Sequence, residues 1–385
     1  GGSEINSGLY HRAPRSIVER WEADFGLLET DWENVCEQIE SDLSVGPMTI
    51  PLSAASLKLA QGAESLGWQA TEVPRWHKYH ETGPGERQTM TRTYLKRAQE
   101  TGRCKVETGQ RVVGVSPIDG GWQIRTAQGR RWKTPHLFLC CGAVYTPFLL
   151  RTNGITRNVG DSLSLHPTVK VTALFPEEVN SRDMGVPVHQ VKEFAPTMSF
   201  GCSISQPGHL ALAGLDQPDL LRRVGAEWKR MAIYYVNVLG TSHGKIRTVP
   251  GSSDPAVSYT VTLRELRELA LGLKRLCRTL LETGAQALFP SVTGQRPITS
   301  LTELENLPPV LTRQTARLMT VHLFGSCPSG EAPHCPVDSF GNLKGHSGLH
   351  IHDASLLCTA PGVNPQGTIM TMAYRNTMKF LEERG

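Results

Sequence analysis

Two side chains near the end of the chain have the chemistry and the setting to act on a hydroxyl group. His322 stands in Val321-His-Leu-Phe-Gly-Ser-Cys-Pro328, and Asn364 follows in Gly362-Val-Asn-Pro-Gln366. Oxidising an alcohol requires the hydroxyl proton to leave while a hydride departs from the carbon. Imidazole suits the first task, because its ordinary pKa of about 6.5 leaves it mostly neutral near pH 7. A neutral asparagine amide suits the second, holding the oxygen in a geometry where a misplacement of about 1 Å can cost 100-fold in rate. Each residue also has a plainer reading. A histidine between Val321, Leu323 and Phe324 reads as a satisfied core histidine, and an asparagine before proline reads as a helix cap.

The surrounding stretch supplies a setting for both. Leu349 to Asp353 reads as a short strand, Pro361-Gly362 as a loop, and Asn364-Pro365 as the opening of a helix. Proline at the first helical position wastes no donor, and the free amides of the first turn, with the helix dipole, make a seat for negative charge.

Four motifs then occur in order: His322-Leu-Phe-Gly325-Ser-Cys327, Val337-Asp338, Asp353-Ala354-Ser355 and Gly362-Val-Asn364-Pro365. The opening Gly1-Gly-Ser-Glu-Ile-Asn6-Ser-Gly8 adds a fifth. Together they resemble the glucose–methanol–choline (GMC) flavoprotein oxidoreductases, with Glu4 in place of the usual second serine. The resemblance covers both ends and, more faintly, residues 90–167, while 168–320 diverges.

The resemblance implies FAD as cofactor and hydride transfer from an alcohol to flavin N5, with oxygen or another acceptor taking the electrons onward. By motif position His322 is the base and Asn364 the partner of the substrate oxygen. Gly1, Gly2, Ser3, Asn6, Val112, Gly142, Asp353, Ala354, Pro365 and Gln366 would meet the cofactor. Val112 also reads as a core strand residue, Gly142 as a plain strand-to-helix turn, and Asp353 as an Asx-type turn. A GMC-fold lyase that cleaves cyanohydrins without redox chemistry is one alternative, and a non-catalytic truncated fragment is another. The second arises because no strand–Gly-x-Gly-x-x-Gly–helix unit occurs, and in the family that unit lies upstream of the first motif seen here.

Composition narrows the class. A chain of 385 residues with 20% charged and 39% hydrophobic residues fits a folded protein with a sizeable core. A formal charge of +4 points to no nucleic-acid partner, and no apolar run reaches bilayer-spanning length. Nine cysteines without regular spacing suggest no disulfide framework and favour a reducing, cytoplasmic location. His322, Cys327, His334 and Cys335 are zinc-ligand types, but no Cys-x2–4-Cys pair accompanies them, and no metal is expected. No Gly-x-Ser-x-Gly elbow supports a hydrolase.

The elements that must position these residues follow from periodicity. Helices are expected over Asp31–Leu43, Leu52–Leu66 and Thr91–Glu100, and Pro74–Arg87 reads as loop. Cys104–Ser116 and Trp122–Thr126 read as strands about the Gly120-Gly121 turn, and His136–Cys141 as a buried strand leading into a helix with Pro147. Val169–Phe175 and His209–Ala213 alternate like strands, and two long helices follow. The second opens with a Thr262–Glu265 capping box and presents Leu263, Leu266, Leu273, Leu276 and Leu280 on one face. The fold class is therefore α/β plus α+β. A Rossmann-like FAD-binding domain, incomplete at its N-terminus, occupies 1–167, a sheet-and-helix substrate domain 168–320, and a C-terminal return carrying the active site 321–385.

Overall fold

The computed structural model describes residues 1–80 and 85–384. Its helices are α1 (Arg15–Phe25), α2 (Trp32–Asp42), α3 (Ala54–Ser65), α4 (Tyr94–Glu100), α5 (Gly142–Thr152), α6 (Pro207–Ala213), α7 (Pro218–Glu227), α8 (Leu263–Glu282) and α9 (Gln366–Glu382). They pack on two separate sheet systems, each with its own core.

The larger system is a six-stranded antiparallel sheet in the order Ala287–Pro290, Thr168–Leu174, Met231–Val238, Met198–Ser203, His189–Val191, Ala70–Glu72. Strand alternation gives it two unlike faces. One carries Val169, Val171, Val191, Phe200, Tyr234 and Val236 against α3 and α8, and this is the largest core. Helix α8 opens with the expected capping box, with Glu265 N–H donating to Thr262 Oγ1 and Thr262 N–H to Glu265 Oε2. Its buried face is Leu266, Leu269, Leu273, Leu276 and Leu280, whereas Leu263, in the first turn, is 53% exposed. The opposite face is divided. Leu174, Met231, Ile233 and Phe289 lie under α6 and α7, but toward the other end it turns polar, with Lys170, Gln190, Ser199, Tyr235 and Asn237.

This sheet takes its edge strand, and α3 against its core, from residues 54–72. Two further expectations change. His209–Ala213 belongs to α6, a short helix opened by Pro207 that buries only Leu210. Only α7 and a 3-10 turn precede α8 where two long helices were expected, and the chain then spends Met231–Val238 as a central strand. Its aromatic and β-branched run Ile-Tyr-Tyr-Val favours that choice.

The second system joins the two ends of the chain. Leu137–Leu139 pairs in parallel with Leu349–Ile351, and a meander of Val112–Ile118, Gly121–Thr126 and Arg131–Thr134 stands beside it. Ile17 and Trp21 of α1, Leu149 and Leu150 of α5, Phe324, Ile351 and Met372 share its core. The strand before Val112 does not extend back to Cys104. Within the expected 74–87 loop, Arg75–Lys78 and Glu86–Arg87 form a small sheet with Val45–Gly46, and residues 81–84 lie outside the described residues. Cys140 and Cys141, expected inside, are at the surface. Among the described residues no helix is long and apolar enough to cross a membrane.

Candidate active site

The site forms where the polar half of the large sheet faces the start of α9 and the turn before Leu323. Helix α9 is drawn close by Gly367: a Cβ there would stand 2.2 Å from the His11 carbonyl oxygen, so only glycine allows the contact. Gln366, one residue earlier, accepts from Asn6 Nδ2 at 3.1 Å. The N-terminal segment and the α9 start, 360 residues apart, are thus joined directly.

Asn364 lies just outside the helix. Pro365 occupies the N-cap position and no side chain caps α9, so the helix-cap reading of Asn364 does not hold here. Its Oδ1 instead accepts from Gln190 Nε2 at 2.9 Å. Gln190 also donates to Tyr235 Oη at 3.2 Å. The Tyr235 ring can lie there because residue 201, opposite it in the register, is glycine: a Cβ would come within 2.2 Å of the hydroxyl.

His322 is reached from the other side. Its Nδ1 lies 3.0 Å from Nδ1 of His166. The Gly362 N–H donates to His166 Nε2 at 3.1 Å. This second bond fixes the direction of the first, because a backbone N–H can only donate. His166 Nε2 is therefore the acceptor, and burial holds the ring neutral, with its pKa far below the ordinary value. Its one hydrogen sits on Nδ1 and points at His322 Nδ1. Burial, helped by the Lys192 charge, lowers His322 to about 4, so it too is neutral. Its hydrogen is then on Nε2. In this arrangement His322 offers an N–H, not a lone pair.

Around this centre Lys192 Nζ is buried without a partner, while the buried His11 ring and the Gln190 side chain lie within hydrogen-bonding reach of each other. Burial, with the charge of Lys192 and the nearness of His322, pushes His11 down to about 3, and burial alone brings Lys192 to about 8. Buried polar groups are nearly always hydrogen-bonded, so the Lys192 ammonium is the exception at this centre. A cleft lined by His166, Ser199, Asn237 and Asn364 opens beside it.

The remaining sequence candidates sit as follows. Gly1, Gly2, Ser3 and Asn6 form the turn that meets Gln366, with Ser3 buried and its Oγ accepting from Met90 N–H at 3.3 Å. Asp353 is an Asx-type turn and more. Oδ1 accepts from Ser355 N–H (2.8 Å) and Oγ (2.6 Å), while Oδ2 accepts from Gly142 N–H (2.9 Å) and from Thr146 Oγ1. It thereby ties the Ala354–Leu356 turn to the start of α5. Ala354 Cβ packs into the core while its carbonyl accepts from Gly325 N–H at 3.1 Å. Val112 is 37% exposed at the end of its strand, so it is not a core residue. The sequence reading missed His11, His166, Gln190, Lys192 and Tyr235. A signal was present at Gln190 and Lys192, two polar residues flanking the buried Val191.

Comparison with known proteins shows the family. Residues 1–168 and 241–373 match the N- and C-terminal parts of the GMC oxidoreductase family. The chain is 30% identical to an uncharacterized GMC-type oxidoreductase of Sinorhizobium fredii, over 97% of this chain and 78% of that protein. It is 24% identical to a long-chain-alcohol oxidase of Arabidopsis thaliana, over 97% of this chain and 56% of that protein. The solved structure of a pyridoxine 4-oxidase from Mesorbium loti shares its fold, with a TM-score of 0.77 at 15% identity over 100% of this chain and 84% of that one. The chain belongs to the GMC oxidoreductase family.

Proposed function

We propose that this protein oxidises the CH–OH group of an alcohol with FAD, and that His322 and Asn364 are the groups that meet the substrate oxygen. The reading is supported above all by the convergence of the His166–His322 pair and Asn364 beside a buried, unpartnered Lys192 ammonium, at the junction of the chain's two ends. The alcohol oxidase named among the relatives points the same way.

The residues present fit a flavin. Gly1 and Gly142 have open space where a Cβ would stand, and α9 begins without a capping side chain. Gly1, Gly2, Ser3, Asn6, Pro365 and Gln366 are the residues we assign to its ring end. Gly142, Asp353 and Ala354 gather at a second point, and Val112 remains the outlying candidate. When bound, the flavin supplies the hydride acceptor.

The chain's own groups then divide the work. Asn364 Oδ1 is held by Gln190, which leaves its Nδ2 hydrogens for the substrate oxygen. His322 brings Nε2 to the same oxygen. In the tautomer that the Gly362 hydrogen bond dictates, Nε2–H donates, so the pair makes two hydrogen bonds that strengthen as negative charge grows on the oxygen. For His322 to accept the hydroxyl proton, as a base must, the Gly362 amide has to leave His166 Nε2 so that both imidazoles take their other tautomer. Anaerobic mixing of the FAD-loaded protein with a panel of primary alcohols tests the proposal. Bleaching of the oxidised flavin band is expected, and cyanohydrin cleavage without bleaching would favour the lyase instead.

A further inference from the structure

The large sheet presents two lysines on its polar face, and they are not equivalent. Lys170 lies on the Thr168–Leu174 strand opposite Tyr235. Lys192 follows the His189–Val191 strand and continues its pairing, with its amide donating to the Gln69 carbonyl at 3.1 Å. Gln190 and Lys192 are two residues apart, so they share a face, the one opposite buried Val191. Gln190 is already committed to Asn364. Lys192 therefore emerges beside the site, and its charge acts on His11, His166 and His322 alike.

Its ammonium is buried and makes no hydrogen bond or ion pair. Around it stand imidazoles and amides. Among the described residues no carboxylate pairs with it, although most ion pairs of the chain lie on the surface. A buried cation without a counter-charge is costly unless a ligand supplies one. The groups that face it from the packed elements are His11, His166 and His322, all neutral, and none can neutralise it.

We propose that Lys192 is the recognition site for an anionic group on the substrate, so that the alcohol oxidised here also carries a carboxylate. The inference rests on the alcohol-oxidation reading and names its substrate class. Asn364 and His322 hold the reacting oxygen, and Lys192 holds the acidic end. Lys170 stands two intervening strands away, about 14 Å by ordinary strand spacing, too far to share the same carboxylate.

The test compares ω-hydroxycarboxylates from 2 to about 8 carbons with their methyl esters, which keep the shape and lose the charge. At the best length, kcat/KM for flavin reduction by the acid should exceed that for the ester by about 100-fold. Lys192→Met should remove this preference by slowing the acid alone, Lys192→Arg should keep part of it, and Lys170→Met should leave it intact. Equal use of acid and ester, or an equal loss on both in Lys192→Met, would overturn the proposal. So would a Lys192→Met variant that shifts the flavin potential while keeping the preference, since the lysine would then serve the cofactor. Calorimetric binding of the matched saturated monocarboxylates to the FAD-loaded protein, wild type against Lys192→Met, needs no turnover. If no alcohol bleaches the flavin, the oxidation reading fails, and this binding difference still decides the role of Lys192.

Discussion

Replacing Asn364 by aspartate removes one hydrogen-bond donor from the site and adds a negative charge, while keeping the size of the side chain. In the wild type Asn364 Oδ1 accepts from Gln190 Nε2 at 2.9 Å, and aspartate keeps an oxygen for that bond. No cap is lost, because α9 starts at Gln366 without a capping side chain. The folded state should therefore lose about 1 kcal/mol or less, the scale of one adjusted hydrogen bond. The chemistry should suffer far more. The Nδ2 donor is replaced by a carboxylate oxygen that faces the developing negative charge on the substrate. Loss of one such donor costs about 100- to 1,000-fold in rate, or about 2.7–4 kcal/mol. Urea denaturation gives the first quantity, and anaerobic stopped-flow measurement of flavin reduction gives the second. Reduction within threefold of wild type in a stably folded Asn364→Asp protein would refute the substrate role of this side chain.

Three further outcomes follow from the packing. Gly201→Ala should destabilise the protein by about 1–3 kcal/mol, because the new Cβ meets the Tyr235 hydroxyl; the loss, read by urea denaturation, should shrink in a Tyr235→Ala background. Asp353→Ala strands four donors at the Gly142 and Ser355 turns and should cost about 3 kcal/mol or more in the same assay; an effect under 1 kcal/mol would contradict the structural role. His166, His322 and His350 are held neutral by burial, with folded pKa values below the ordinary 6.5. They cost no stability above pH 6.5, and stability falls as pH drops below it, by about 1.4 kcal/mol per pH unit for each, down to about 4 for His322 and His350. Equal unfolding free energies at pH 7 and pH 5 would count against it.

What could be read from the sequence was mostly local. The Thr262–Glu265 box and the leucine face of α8 depend on residues three or four apart, and both were visible. His322 and Asn364 could be singled out because motifs near each end of the chain accompany them. The assembly around them could not. His11, His166, Gln190 and Lys192 come from separate elements, and only sheet register and the close approach allowed by Gly367 bring them to one place. Neither is written in any short window. Met231–Val238 was missed for a related reason: its meaning comes from the strands on either side, which lie more than twenty residues away in sequence. The tautomer of His322 lies deeper still, since it is set by the backbone amide of Gly362, a residue with no side chain to announce it.

His322 is the group proposed to act on the substrate during alcohol oxidation. Its most direct test is the rate of anaerobic flavin reduction by a saturating alcohol in the FAD-loaded wild type and in His322→Ala. Reduction in the variant should be about 100- to 10,000-fold slower, the usual range for an acid–base group, with FAD binding unchanged. Reduction at the wild-type rate in His322→Ala would contradict it.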